Sequence, residues 1–263
     1  MDKLLATGSH LEGRFRVSGV IGHGDESAAY LAADLEQDGA WVLIWESLGV
    51  FRMQRKPEGA LRYLVEHGRH YLVLRLEGQD LGLVHSAAGV VAEGWAALWM
   101  AQVCDSIGQW HNRRERPLVC LEEGEVRLAA MRLMATGRAI VPGCDVLSES
   151  LAPSVPGQAL SFSAPEKAAG AVATPRSDVY ALGAALYCLV TGTPPPPPQA
   201  LAAGEAELIP PRKAQRDISG RMDRIIRKAM SLKPGERYES AMQLSFELQR
   251  CVPRQLRRYI GVV

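Results

Sequence analysis

The sequence predicts an α+β protein of two lobes, a small β-rich one followed by a larger helical one, within one domain of 263 residues. Three observations predict it. Up to about residue 76 the chain reads as short β-type runs divided by turn signals. From Trp95 onward the apolar residues recur at helical spacing instead. Finally, "SDVYALGAALYCLVTG" is apolar almost all round, and such a helix belongs inside a helical domain, not on its surface. The boundaries that follow are 11–76 for the β-rich N-lobe, 77–250 for the α-helical C-lobe and 251–263 for a basic and apolar tail. The change of period falls near residues 76–90.

The elements can be justified in order. Phe15 to Ile21, Ala28 to Ala33 and Ala40 to Trp45 are strand-like runs, with Asp38-Gly39 supplying a hairpin turn. "LRYLVEHGRHYLVLRL" is a second hairpin around a Glu66–Arg69 turn. Only about a dozen residues separate it from Trp45, which leaves little room for a long helix. Trp95, Leu98, Trp99, Val103, Ile107 and Trp110 lie near one helical face. The apolar helix begins at Ser177 or Asp178 as N-cap and stops at Gly192. The five prolines Pro194–Pro198 cannot be helix or inner strand, so an exposed extended loop is expected, with a docking motif as the alternative. "RMDRIIRKAMSL" puts Met222, Ile225, Ile226, Ala229 and Met230 on one stripe, and a last helix opens at Ser240 with Gln243 three residues on.

Composition narrows the functions. Hydrophobic residues at 47% and charged residues at 22% describe an ordinary globular chain with a sizeable core. A net charge of +1, from 30 basic and 29 acidic residues, gives no global pull toward nucleic acid or anionic lipid. The five cysteines, at 104, 120, 144, 188 and 251, form no CxxC pair or Cys/His cluster, so reduced thiols and no metal are expected. "MDKLLATGSHLEGRF" lacks the apolar core of a signal peptide, and no stretch approaches the length of a membrane span. A cytoplasmic location is the expectation.

The order of motifs is more specific than any one of them. "LEGRFRVSGVIGHGDESAAYLAAD" resembles the start of a bacterial-type serine/threonine protein kinase, including its glycine-rich loop. Gly22 and Gly24 match that loop, Ser27 replaces its third glycine and Ala29 its valine. Ala164, Pro165 and Glu166 match the Ala-Pro-Glu that closes an activation segment. "SDVYALGAALYCLVTGTPP" resembles the family's central helix, and "SLKPGERYESAMQL" the segment whose arginine, here Arg237, pairs with that glutamate. The resemblance covers roughly residues 11–250. It implies a protein-kinase-like fold, a buried Glu166–Arg237 ion pair, and an Asp178 that caps the central helix and holds a neighbouring loop.

The resemblance also shows what is missing. Phosphoryl transfer in this family needs a lysine on the third strand, a catalytic aspartate and two magnesium ligands. "WVLIWES" places Trp45 where the lysine would stand, and only Glu46 and Glu58 offer themselves as its glutamate partner. Between His111 and the Arg116-Pro117 pair lie Asn112 to Glu115, with no aspartate. The magnesium-binding asparagine falls at Val119 and the Asp-Phe-Gly aspartate at Ala130. A displaced pair of His111 as the family's histidine and Glu115 as base is the catalytic alternative. The cations Arg52, Arg55 and Lys56 are substitutes for the lysine, but nothing obvious would hold magnesium.

The chain therefore resembles a pseudokinase: no enzyme, no cofactor, and a protein partner bound by a scaffold or regulatory module. The alternatives are an atypical kinase, or a nucleotide-binding switch that uses displaced residues. Segment 131–163 offers Thr136, Ser148, Ser150, Ser154, Ser161 and Ser163 as candidate phosphoacceptors in what is otherwise an ordinary loop. "RQLRRYIGVV" sets Arg254, Arg257 and Arg258 before an apolar end, the pattern at the cytoplasmic edge of membrane spans. A membrane tether beyond residue 263, as in many kinases of this type, stands beside a plain tail.

Overall fold

An antiparallel sheet fills the first part of the chain, and two tight turns set its register. The structure, a computed structural model, describes residues 4–23, 27–49, 60–75, 79–80, 88–113, 132–133, 139–140, 162–172 and 174–259. It divides into two compact units, Met1–Ala92 with Arg132–Arg138, and Glu93–Met131 with Ala139–Val263. The first holds β1 (His10–Leu11), β2 (Phe15–His23), β3 (Ser27–Asp34), β4 (Ala40–Ser47), β5 (Ala60–Glu66) and β6 (Arg69–Arg75) in the order β1-β2-β3-β4-β6-β5. Short strands β7 (Gln79–Asp80) and β8 (Arg132–Leu133) pair beside it.

The turns need left-handed backbone. Asp38 (φ 50°) and Gly39 (φ 77°) close β3 onto β4, while His67 (φ 51°) and Gly68 (φ 75°) form the two-residue turn between β5 and β6. Positive φ at both central residues matches the right-handed twist of a hairpin, which is why glycine takes the second place in each. Along β4 the pleat sends Val42, Ile44 and Glu46 to one face and Leu43 and Trp45 to the other. Val42 and Ile44 join Phe15, Tyr30, Tyr71 and Val73 in a buried cluster, against which Leu4 and Leu5 pack. Arg14 clamps the ends of β2 and β3, donating from Nε and Nη2 to the buried carboxylate of Asp34 at 2.8 and 2.6 Å.

The second unit is helical: α1 (Glu93–Arg113), β9 (Ala139–Ile140), α2 (Pro165–Ala168), α3 (Pro175–Thr191), α4 (Pro198–Ala203), α5 (Pro211–Ala214), α6 (Gly220–Ala229) and α7 (Ala241–Gln249), with 3-10 turns at Pro234–Glu236 and Arg254–Tyr259. Helix α3 is its axis, buried from Ser177 to Thr191. Gly183 lets α6 lie directly on it, since an added Cβ would come within 2.8 Å of Ala229 Cβ. On α1, Gly108 makes the same room for Met242 of α7, and Ser245 Oγ donates to Ala101 O at 3.1 Å. Gly192 (φ 79°) ends α3 by donating its N–H to Cys188 O.

Two expectations are corrected. Helix α3 starts earlier than Ser177 or Asp178: Thr174 is the N-cap, because Pro175 sits at the first helical position, where its missing N–H costs nothing. Nor is the proline run simply exposed. Pro195 and Pro198 are buried while Pro194 and Pro197 are exposed. An extended proline helix has three residues per turn, so every third ring faces the same way. The run ends by becoming the first turn of α4.

Candidate functional site

The best-defined constellation of the helical unit is built around Arg237. Pro165 opens α2 and presents Glu166 in its first turn, while the 3-10 turn Pro234–Glu236 delivers Arg237. Arg237 Nη1 and Nη2 donate to the two Glu166 oxygens, each at 2.7 Å. Its Nε donates to Ser231 O at 2.7 Å, Nη1 also to Arg176 O at 2.9 Å, and Nη2 to Leu232 O at 3.1 Å. Every N–H of the buried guanidinium is thus used, and its carbon lies 5.0 Å from the centre of the Tyr180 ring. Ser177 Oγ adds a donor to Glu166 Oε1 at 2.7 Å. Burial alone would push the Glu166 carboxyl up, but the hydrogen bonds from Arg237 and Ser177 outweigh it and hold the group below its ordinary value.

The next residue of α3, Asp178, does not cap the helix as expected. Its Oδ2 lies 2.8 Å from His111 Nε2, and both side chains are buried. A carboxylate can only accept there, so the imidazole N–H donates. His111 lies two residues before the end of α1, and the contact fixes that end against the start of α3. Ala164, Pro165, Glu166, Asp178 and Arg237 therefore gather around the first turns of α2 and α3.

The sheet carries the other singled-out positions. Gly22 lies in β2 opposite Ala29, next to a register shift between Val20 and Gly22, and Ser27 opens β3 opposite Ser47. Trp45 sits in β4 between Ala29 and Leu72 and is half-buried, sharing its face with Leu43. Glu46 is not a partner for that position. It is fully buried on the opposite face, where it accepts from Tyr30 Oη and Arg69 Nη1. Burial raises the Tyr30 hydroxyl first, and its hydrogen bond to Glu46 raises it further. Tyr71 is pushed up to about 12 by burial and then by the Glu46 charge. This triad was missed from sequence, as was Arg14–Asp34. The available signal was a glutamate on the inward-facing rhythm of Val42 and Ile44, which demands a partner.

Gly24, Arg52, Arg55, Lys56, Glu58, Glu115, Val119, Ala130, Thr136, Ser148, Ser150, Ser154 and Ser161 lie outside the described residues. Among the described residues no group of three or more His, Cys, Asp or Glu side chains is placed to hold a metal ion, and no helix is long and apolar enough to cross a membrane.

An antiparallel sheet leading into a helical unit whose proline-opened helix is locked by a buried arginine defines a protein kinase fold. Solved structures agree. One described as PpkA-294 in its apo form matches with a TM-score of 0.51 at 18% identity, over 93% of this chain and 99% of that one. The PknI kinase domain of Mycobacterium tuberculosis matches with a TM-score of 0.50 at 20% identity, over 94% and 99%.

Among curated proteins, the chain is 25% identical over 285 residues to the serine/threonine-protein kinase PknB of Mycolicibacterium smegmatis, covering 94% of this chain and 44% of that protein. It is 26% identical over 281 residues to PknB of Mycobacterium tuberculosis H37Rv, with the same coverage. A probable serine/threonine-protein kinase of Corynebacterium efficiens is 30% identical over 196 residues, 68% of this chain and 29% of that protein. No family model matches the chain. It is a protein-kinase-like domain related to the bacterial serine/threonine kinases of the PknB kind, and it spans less than half the length of those relatives.

Proposed function

We propose that the domain is a pseudokinase: it transfers no phosphoryl group and acts by binding a protein partner. The observation that carries this reading is Trp45. It occupies β4 at the register of Ala29 and Leu72, the position at which the resemblance puts a phosphate-binding lysine. An indole cannot neutralise phosphates, and the neighbouring carboxylate Glu46 is committed to Arg69 and Tyr30 on the other face. The sequence adds Val119 and Ala130 in place of metal ligands. What is kept, the Glu166–Arg237 knot, serves the fold and not the chemistry.

The test is direct. The purified domain should show no ATP hydrolysis, no transfer to protein and no magnesium-dependent rise in melting temperature with ATP. Trp45→Lys should not create activity, because losing each preorganised charge costs about 10²–10³ in rate and several are absent together. Activity in either protein overturns the proposal. A nucleotide-binding switch without catalysis is the reading that Gly22, set opposite Ala29 in the β2–β3 hairpin, favours. Stabilisation by ATP without magnesium would select it.

A further inference from the structure

The overall charge of +1 hides an uneven distribution. Residues 210–263 carry 13 basic side chains against five acidic, while residues 1–209 carry 17 against 24. Part of that surplus converges on one concavity of the helical unit. Helix α6 presents Arg221, Arg224, Ile225 and Lys228 at positions i, i+3, i+4 and i+7, which fall on one face. With Arg227, Tyr238 and Glu247 they line a groove of about 610 Å³ beside α7. The four cations are exposed, and like charges at this spacing repel one another along the helix.

Among the described residues, a local acid pairs with only one of the four, Arg227. Asp223 is buried, accepts from the Arg212 backbone N–H at 3.1 Å and lies 3.8 Å from Arg227. Glu247 lies 3.5 Å from Arg250. Arg221 and Arg224 make no ion pair among the described residues. An added Cβ at Gly220 would lie 3.5 Å from Arg212 Nη1 and 3.6 Å from Arg224 Nη1, so two guanidinium groups flank one point of backbone.

We propose that this groove binds a phosphorylated segment, centred on phosphoserine or phosphothreonine, of a protein partner. Guanidinium groups match phosphate oxygens in bidentate pairs, and a dianion relieves the repulsion between the α6 cations. A concave basic site suits a compact anion on a side chain. A membrane surface suits it less, because its apolar lining residues Ile225 and Tyr238 are both buried and offer nothing to insert among lipids. A nucleic-acid base finds no stacking platform either, since Lys228 Nζ lies 4.4 Å over the Tyr238 ring. The proposal gives the partner of the binding module its chemistry and rests on that reading. Its test leaves Trp45 and β4 untouched, so phosphoryl transfer by the wild type would remove the pseudokinase reading and leave the groove to be judged by peptide binding alone.

The probes are a degenerate peptide library with phosphoserine fixed at its centre, the same library unphosphorylated, and phosphatidylserine vesicles, each titrated into the 263-residue chain. The phosphorylated library should bind at least tenfold more tightly than its unphosphorylated counterpart, weaken as salt rises, and lose about tenfold in affinity with Arg224→Glu or Arg221→Glu. Arg216→Glu, the same charge change at an exposed site outside the groove, should leave binding within about twofold. Thermal unfolding of each variant establishes that the comparison is between folded proteins. Equal binding of the two libraries overturns the proposal. So does phosphopeptide binding that survives Arg221→Glu and Arg224→Glu together, or a groove-dependent affinity for vesicles without one for the phosphopeptides.

Discussion

Each unit is held by a buried ion pair, and the two are built on different logic. Glu166 and Arg237 are 71 residues apart, and the arginine also satisfies the carbonyls of Ser231, Leu232 and Arg176. Glu46 and Arg69 are 23 residues apart on neighbouring strands, and the further partner of Glu46 among the described residues is a side chain, Tyr30. The first pair also ties the backbone carbonyls of Ser231, Leu232 and Arg176 to one guanidinium. The second fills one face of a sheet whose own ladder already satisfies the backbone. A charged pair that closes backbone groups cannot be exchanged for apolar side chains, whereas one that fills space can.

The largest expected effect follows from the first half of that contrast. Arg237→Ala and Glu166→Ala should each cost about 3–5 kcal/mol, because each leaves the other charge buried and unpaired. The double mutant should cost less than the sum of the two, yet remain below wild type, since the carbonyls of Ser231, Leu232 and Arg176 lose the arginine's donors whatever stands at position 166. A double-mutant cycle in urea measures this. Simple additivity would mean that the pair is not coupled.

In the sheet, Arg69→Met alone should cost about 2 kcal/mol, less than in the helical unit because Arg69 retains some exposure. Combining it with Glu46→Leu and Tyr30→Phe should bring the protein back to within about 1 kcal/mol of wild type. The Leu5 N–H, which donates to Tyr30 Oη at 3.3 Å, is near enough to the surface to turn to water. If the triple variant is as unstable as Arg237→Ala, the contrast between the units fails.

Acid separates the pairs more gently. The folded-state pKa of Glu166 lies below its unfolded value, so its stabilisation is fully present above the unfolded value and is lost as pH falls through the folded one. Asp34 behaves in the same sense, held down first by its hydrogen bonds from Arg14. Stability measured in urea should therefore decline below about pH 4.3 in the wild type, and Glu166→Gln should flatten that decline. An unchanged slope in Glu166→Gln would show that the Arg237 contact does not favour the ionised form.

What the sequence revealed depended on whether a residue's partner could be inferred. Glu166 and Arg237 each sit inside a motif, and the motifs together implied the pairing. Glu46 sits in no motif, and reading it beside Trp45 as a stray lysine partner overlooked the pleat, which sends adjacent residues to opposite faces. The helices of the second unit were legible because their apolar stripes are long. The start of α3 was not, because apolar periodicity begins at Val179 while the cap lies five residues earlier. The α6 groove is not legible in the overall charge, because a net charge near zero averages a basic end against an acidic remainder.

The start of α3 allows the finest test, with the smallest effect. Ser177 Oγ accepts from the Thr174 N–H at 3.0 Å and donates to Glu166, while its own N–H donates to Thr174 O at 2.8 Å. It is the third helical residue and not the cap. At a cap, glycine is tolerated within a few tenths of a kcal/mol of serine and alanine is the worse replacement, by about 1 kcal/mol. Inside a helix the ranking inverts, because glycine loses more backbone freedom than alanine, at a cost of about 1 kcal/mol. Both substitutions remove the same two hydrogen bonds of the hydroxyl, so that loss cancels between them. Ser177→Gly should therefore be less stable than Ser177→Ala by about 1 kcal/mol in urea denaturation. The opposite order would move the start of the helix to Ser177 and detach Thr174 from it.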